Sequence, residues 1–295
     1  MKERQTLSTQ TGRLWVVATP IGNLEDLGAR ARRVLAGADL VLAEDTRHSG
    51  HLLAHLGLSK PLLSLHEHNE EQRVPGLLER IRQGQQLALV SDAGTPLLSD
   101  PGFRLVRACR EAGLAVLPVP GPSAALAALS VAGVPSDRFC FEGFLPATAA
   151  ARCGRLGALL EQGVAVVCFE SAHRIGASAG DLARLAPLRE VFLAREMTKQ
   201  FEEHFFGRAG ELPGWLAADA NRQRGEFVLV LAPRREPAPA EQAPTLAVAD
   251  ERTLSLLLAE LPLKQAVRLA AAITGIPRNR LYARALELNV AGGSD

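Results

Sequence analysis

Aromatic residues make up only 4% of the 295-residue chain, so recognition of nucleobases cannot rest on a broad stacking platform. Cysteine is scarcer still. Cys109, Cys140, Cys153 and Cys168 are scattered, form no C-x-x-C pair and sit in apolar or mixed stretches; they read as free thiols in a reducing compartment rather than as disulfides. An excess of one charge is missing too. Basic and acidic residues number 33 and 32, leaving a net +1, which excludes a generic polyanion binder; a nucleic-acid partner must be held by local patches or by shape. No apolar run is long enough to span a bilayer, and the opening MKERQTLSTQTGR lacks an apolar signal core, so a cytoplasmic protein is expected. No G-x-G-x-x-G follows a strand pattern and no G-x-x-x-x-G-K-[ST] occurs, which disfavours a dinucleotide site and a P-loop. His48, His51 and His55 are spaced to share a helix face, and His66 and His68 a strand face. With no H-E-x-x-H and no cysteine beside them, no metal is expected.

What is present suits two domains and a short appendage. Hydrophobic residues are 47% and charged residues 22%, ordinary values for packed cores and a wetted surface. Apolar runs at 14–18, 40–43, 62–65, 87–90 and 115–117 read as strands, with helical patterns at 29–35, 49–56, 70–81, 103–111 and 123–131 between them. Such alternation predicts a mostly parallel sheet covered on both faces. A second α/β unit follows, with strands at 164–169 and 191–194, helices at 155–160 and 175–185, and further antiparallel strands at 201–206 and 227–231. The pattern lapses over 140–148, in FCFEGFLPAT. The expected division is a tail at 1–12, α/β domains at 13–122 and 123–232, a proline-rich linker at 233–246 and a helical domain at 247–295. In that last segment, stretches at 254–261, 265–274 and 278–288 read as helices, broken by Gly275 and Pro277 in the manner of a helix-turn-helix.

The chemistry collects at one position in the pattern. TPIGN, EDTR, HEHN, SDAGTP and PVPGPSA follow the first five strands, and ESAHR and REMTK occupy the same place in the second unit. In open α/β sheets the ligand crevice lies beyond those strand ends. The strongest element runs from Ser91 through Asp92, Ala93, Gly94, Thr95 and Pro96 to Gly102, where glycine admits close backbone approach and prolines stiffen the loop. Ser123 reads either as the N-cap of the alanine-rich helix after it or as a ligand contact. Glu44, Asp45 and Arg47 read as a local ion-pair cluster or as part of a substrate pocket, and Arg195, Glu196 and Lys199 stand likewise in the second unit.

TPIGNLEDL, AEDTRHSG, HEHN, VSDAGTPLLSDPG, PGPSA, SDRFCFEGFLP, ESAHR, AREMTK and RGEFVLV occur in this order. Together they resemble the ribosomal RNA small-subunit methyltransferase I group, which is similar in fold to the tetrapyrrole methylases. The resemblance implies two α/β domains with S-adenosylmethionine in the cleft between them, a homodimer, and methyl transfer to a cytidine 2′-oxygen in the decoding region of 16S rRNA in the small ribosomal subunit. It places the cofactor on Pro20, Gly22, Asp92, Ala93, Gly94, Thr95, Pro96, Ser123, Phe169, Glu170, Ala194, Arg195 and Gly225. TPIGN stands where the tetrapyrrole enzymes have a glycine-rich loop ending in Asp, which favours RNA over a corrin or porphyrin. A 2′-hydroxyl is a poor nucleophile, so a proton acceptor is expected among Glu44, Asp45 and Glu196, with Arg47, Arg195 or Lys199 holding phosphate or the developing alkoxide. In the tail, Arg252, Lys264, Arg268, Arg278, Arg280 and Arg284 outnumber Glu251, Glu260 and Glu287, which suits RNA or a dimer contact. The rival readings are a tetrapyrrole methylase and a nucleic-acid-binding regulator whose α/β part senses a small ligand.

Overall fold

The computed structural model describes residues 12–234 and 246–291, the side chains of 287 and 289–291 excepted. Most of the expected tail and linker therefore lies outside the described residues. The described residues up to Arg234 cluster as one compact unit and those from Leu246 onward as a second.

Within the first unit, β1 (Arg13–Val17), β2 (Leu40–Ala43), β3 (Leu62–Ser64), β4 (Gln86–Leu89) and β5 (Ala115–Val119) form a parallel sheet in the order β3-β2-β4-β1-β5. Helices α1 (Ala29–Gly37), α2 (Thr46–His55), α3 (Glu70–Arg82) and α4 (Phe103–Glu111) connect its strands. Both faces are buried, and the pleat sorts the strand residues. Leu40, Leu42, Leu87 and Leu89 enter one core with Leu77, Ile81, Leu105 and Cys109, whereas Val41, Ala43, Ala88 and Val90 enter the other with Ala31, Leu35 and Leu53.

The second sheet has the order β6-β7-β10-β8-β9, built from β6 (Phe139–Phe144), β7 (Ala165–Ser171), β8 (Glu190–Arg195), β9 (Glu203–Arg208) and β10 (Glu226–Leu231). Only β6 and β7 run parallel; β10 is antiparallel to β7 and β8, and β9 to β8. One face packs α6 (Ala149–Leu160), α7 (Ile175–Leu185) and α8 (Leu212–Ala217) on Val166, Cys168, Leu193 and Leu229. The other packs Ala125, Ala128 and Leu129 of α5 (Ala124–Val131) on Val167, Val228 and Val230. Helix α5 thus belongs to the second sheet although it follows the last strand of the first.

Two readings of the sequence are corrected. The lapse over 140–148 contains the edge strand β6, whose register shifts between Phe141 and Gly143 and whose Phe139 and Phe144 are exposed. The bulge and the wet edge remove the periodicity that marks a strand. His66 and His68 lie in the loop after β3, not on a strand face, with ring centroids 5.9 Å apart. The four cysteines are free; burial pushes Cys109 up to about 11 and Cys168 to about 12, which leaves these two thiols protonated and inert.

The second unit comprises α9 (Val248–Glu260), α10 (Leu263–Thr274) and α11 (Arg278–Ala291) around Leu246, Leu254, Val267, Ala270, Leu281 and Ala285. Gly275 ends α10 at φ +72°, its amide donating to the Ala271 carbonyl at 3.1 Å. That left-handed stop is the turn the sequence indicated.

Candidate active site

Because β1 and β4 are neighbours, the loops leaving them run side by side. The Thr19 amide donates to the Gly94 carbonyl at 2.8 Å, and the Gly94 amide returns a bond to Thr19 at 3.1 Å. The buried Thr19 hydroxyl donates to the Ser91 carbonyl at 3.1 Å, and Thr95 donates to the Pro122 carbonyl at 3.0 Å. Loops after three adjacent strands are thereby tied into one rim.

Backbone strain is concentrated on two loops. Gly94 has φ +81°, and a Cβ there would lie 3.3 Å from Ile21 Cγ2. Leu97 and Ser99 hold φ of 73° and 71° in the same loop, and Glu196 and Thr198 hold 53° and 63° after β8. Each such residue costs about 1–3 kcal/mol, and such strain clusters where a ligand is clamped. The loop after β8 meets the loop after β1: a Cβ on Gly22 would lie 2.4 Å from Lys199 Cγ, and the Asn23 amide donates to Thr198 Oγ1 at 3.1 Å.

Two adjoining cavities open here. The larger, about 520 Å³, takes Gly94, Thr95 and Asp100 from the first sheet's rim and Ser123, Phe169, Glu170, Met197 and Gly225–Val228 from the second half. Its volume is in the range of a cofactor site. The smaller, about 430 Å³, is lined by Thr19, Pro20, Gly22, Lys199 and the His48, His51 and His55 row of α2. Ile21, Asp92, Ala93 and Glu226 border both.

Of the residues singled out from sequence, Asp92, Ala93, Gly94, Thr95, Ser123, Phe169, Glu170 and Gly225 line the larger cavity, and Pro20, Gly22 and Lys199 the smaller. Pro96, Ala194, Glu44, Asp45, Arg47, Arg195 and Glu196 line neither. Ser123 sits at the N-cap position of α5 but its side chain makes no capping bond. Arg195, 8% exposed, donates to the Arg224 and Phe201 carbonyls at 2.7 and 3.0 Å, so its donors brace the backbone. Asp45 caps α2 through the Arg47 amide and pairs with the Arg47 guanidinium at 2.7 Å; these bonds hold its carboxyl well below the usual range. Glu196 accepts from Lys199 Nζ and the Glu226 amide, each at 2.9 Å. Burial opposes its charge, but those donors outweigh burial and hold the carboxyl low. Lys199 also reaches Glu226 at 2.8 Å, and despite burial the two carboxylates push its ammonium up.

Asp100 stands inside the longest motif, VSDAGTPLLSDPG, where nothing in the sequence alone gives it a role. It lines the larger cavity; burial first, then Glu44 and Asp92, push its carboxyl up to about 6 against a contact from Ser91. Glu44 is raised by burial, then by Asp92 and Glu67. Three mutually repelling carboxyls beside a cleft favour a cationic ligand. Glu170 is fully enclosed, accepting from the Ser171 amide, Arg174 and Ser178, and is a scaffold for the wall it belongs to. Among the described residues no group of three or more His, Cys, Asp or Glu is arranged to hold a metal, and no helix is long and apolar enough to cross a membrane.

Residues 13–213 match the family of Tetrapyrrole (Corrin/Porphyrin) Methylases, and residues 244–289 the RsmI C-terminal HTH domain. The chain is 50% identical to the ribosomal RNA small subunit methyltransferase I of Escherichia coli O157:H7, over 97% of this chain and 99% of that one. The protein of the same name from Pseudomonas aeruginosa is also 50% identical, over 94% and 97%. Among solved structures, uroporphyrin-III-C-methyltransferase from Thermus thermophilus superposes with a TM-score of 0.54 at 25% identity, covering 75% of this chain and 94% of that one. A form of the Thermus enzyme complexed with S-adenyl homocysteine gives 0.52 at 21%, covering 75% and 97%, a likeness of fold.

Proposed function

Because the chain belongs to the ribosomal RNA small subunit methyltransferase I family, within the tetrapyrrole methylases, we propose that it methylates a cytidine 2′-hydroxyl in the decoding region of the small ribosomal subunit. It uses S-adenosylmethionine and works as a cytoplasmic homodimer. The observation that carries the reading is the pair of cavities with a shared wall at the ends of parallel strands. Methyl transfer needs a donor and an acceptor in line, with one reacting face between them. The larger cavity fits the cofactor: glycine backbone at Gly94 and Gly225, an apolar wall at Phe169 and Phe227, and carboxyls suited to a cation. The smaller fits the acceptor nucleotide, with imidazoles and the Lys199 ammonium as donors to ribose and phosphate oxygens.

S-adenosylmethionine, when bound, supplies a methyl group activated by a sulfonium charge. The chain's part is alignment, exclusion of water and removal of one proton. Asp92 borders both cavities and its Oδ1 is fixed by the Asp45 amide at 3.2 Å. Position comes before pKa in choosing a base, and on position Asp92 is favoured over Glu44, Asp45 and Glu196 as the group that takes the hydroxyl proton. Asp100 in the larger cavity and Glu44 beside it repel the Asp92 carboxylate and favour a cation there, while Lys199, anchored by Glu196 and Glu226, holds phosphate.

The test is methyl transfer from labelled cofactor to small subunits from cells lacking the enzyme, followed by nucleoside analysis. Label is expected as 2′-O-methylcytidine; a methylated base, or no label on particles with the cofactor still bound, would overturn the substrate assignment. Asp92→Asn is expected to slow single-turnover transfer, and a full rate would remove Asp92 as the base.

A further inference from the structure

The helical unit carries a concave groove of about 550 Å³ between α10 and α11. Lys264 and Arg268 stand one turn apart on α10, and Arg278 and Tyr282 one turn apart on α11, so four exposed side chains converge on it. Buried Val267 forms part of the floor, and among the described residues no acidic one lines the groove. Elsewhere in the unit a cation is neutralised: Arg284, on the same helix, pairs with Glu251 of α9, its Nε 2.8 Å from the carboxylate. Among the described residues no carboxylate pairs with Lys264, Arg268 or Arg278. Tyr282 is the only tyrosine in the chain and is 39% exposed at the groove's edge.

We propose that this groove binds a single-stranded segment of ribosomal RNA, with phosphates on Lys264, Arg268 and Arg278 and one base stacked on Tyr282. The proposal rests on the reading of the substrate as RNA and adds a second contact surface to it. A solvated helix face explains exposed cations, but not their convergence on a concavity with an aromatic ring and, among the described residues, without an acid. A duplex-reading helix-turn-helix presents its cations on a projecting helix that enters the major groove; here they line a groove between two helices. Single-strand sites combine a positive groove with an aromatic face. In a chain of net charge +1, such a local patch is what phosphate contact requires.

The experiment uses the full chain, its purified 16S rRNA and small subunits from cells lacking the enzyme. A Lys264→Ala, Arg268→Ala, Arg278→Ala variant is expected to bind both more weakly. Its dependence of affinity on salt should flatten by about 2 in log–log slope, at roughly 0.7 per phosphate on a single strand. Tyr282→Ala is expected to weaken binding about 5- to 150-fold, the range for one stacked base, and Tyr282→Phe to restore it. Cofactor titrations should be unchanged, which shows that the catalytic unit is intact. Unaltered RNA affinity and salt slope in the triple variant would overturn the groove while leaving methyl transfer by the parent protein standing. Tighter binding to duplex DNA than to RNA, or a changed oligomeric state in place of changed RNA affinity, would also overturn it. A parent protein that neither binds nor methylates the particle would instead overturn the substrate reading itself.

Discussion

Gly225→Ala tests how the second half of the molecule shapes the wall of the larger cavity, where we place the cofactor. Gly225 has φ +95°, and a Cβ would fall 2.5 Å from Glu196 Oε1 and 2.6 Å from its Cδ and Cγ. Left-handed backbone costs an alanine about 1–2 kcal/mol. The collision adds more, because Glu196 is not free to swing: Oε1 holds Lys199 Nζ and the Glu226 amide, both at 2.9 Å. The side chains of Glu196 and Lys199 are 19% and 28% exposed, so solvent screens part of the loss, leaving about 1–2 kcal/mol for the two bonds. The sum is about 2–4 kcal/mol, which a domain of ordinary stability survives.

Urea unfolding followed by the two tryptophans, Trp15 in β1 and Trp215 in α8, measures that sum. Calorimetry with S-adenosylmethionine should show about ten-fold weaker binding if roughly 1.4 kcal/mol of the strain is paid when the wall closes. The decisive measurement is the double-mutant cycle. With Glu196→Ala in place the collision is gone, and Gly225→Ala should cost about 1–2 kcal/mol less than in the parent. An equal cost in both backgrounds would refute the collision, and a total below about 0.5 kcal/mol would refute the backbone argument as well.

Asp100 makes stability depend on pH. Its folded carboxyl, pushed up to about 6, holds a proton more tightly than the unfolded chain does at about 3.9, so its contribution is most favourable below about pH 4 and is lost as pH rises to about 6, by roughly 3 kcal/mol at most. Asp100→Asn should flatten urea midpoints across that window; an unchanged slope would assign the effect elsewhere. Ser99→Gly relieves a φ of 71° and should stabilise by about 0.5–1 kcal/mol after glycine's own entropy is charged; a measured loss would count against strain in this loop. Arg195→Met strips donors from two carbonyls and should cost about 2–4 kcal/mol in thermal or urea unfolding while the folded fraction keeps its RNA affinity. Weak RNA binding at full stability would return Arg195 to the substrate.

The parallel sheet was legible because its strands are buried on both faces and read as continuous apolar runs, as in LVLA of β2. Strand β6 was not, since an edge strand with Phe139 and Phe144 in solvent and a bulge before Gly143 has neither alternation nor a run. Glycine and proline revealed the first sheet's rim, where backbone conformation is the device. The second half contributes Phe227, Val228 and Met197, residue types that carry no such mark. Arg195 shows the converse: a charge beside a motif reads as a ligand contact, yet its guanidinium is spent on carbonyls.

Asp100 shows why the site itself is harder to read than the frame that carries it. Eight positions separate it from Asp92 in sequence, yet the two carboxyls repel each other beside one cleft. The chain turns through left-handed Leu97 and Ser99, residues that local preference assigns to other conformations. Leu97 holds that geometry because its side chain packs into the core with Leu89 and Leu105, so the loop's shape is imposed by tertiary contacts. Where ligand geometry demands backbone that propensity opposes, rules of local sequence fail, and the failure itself marks the place to look.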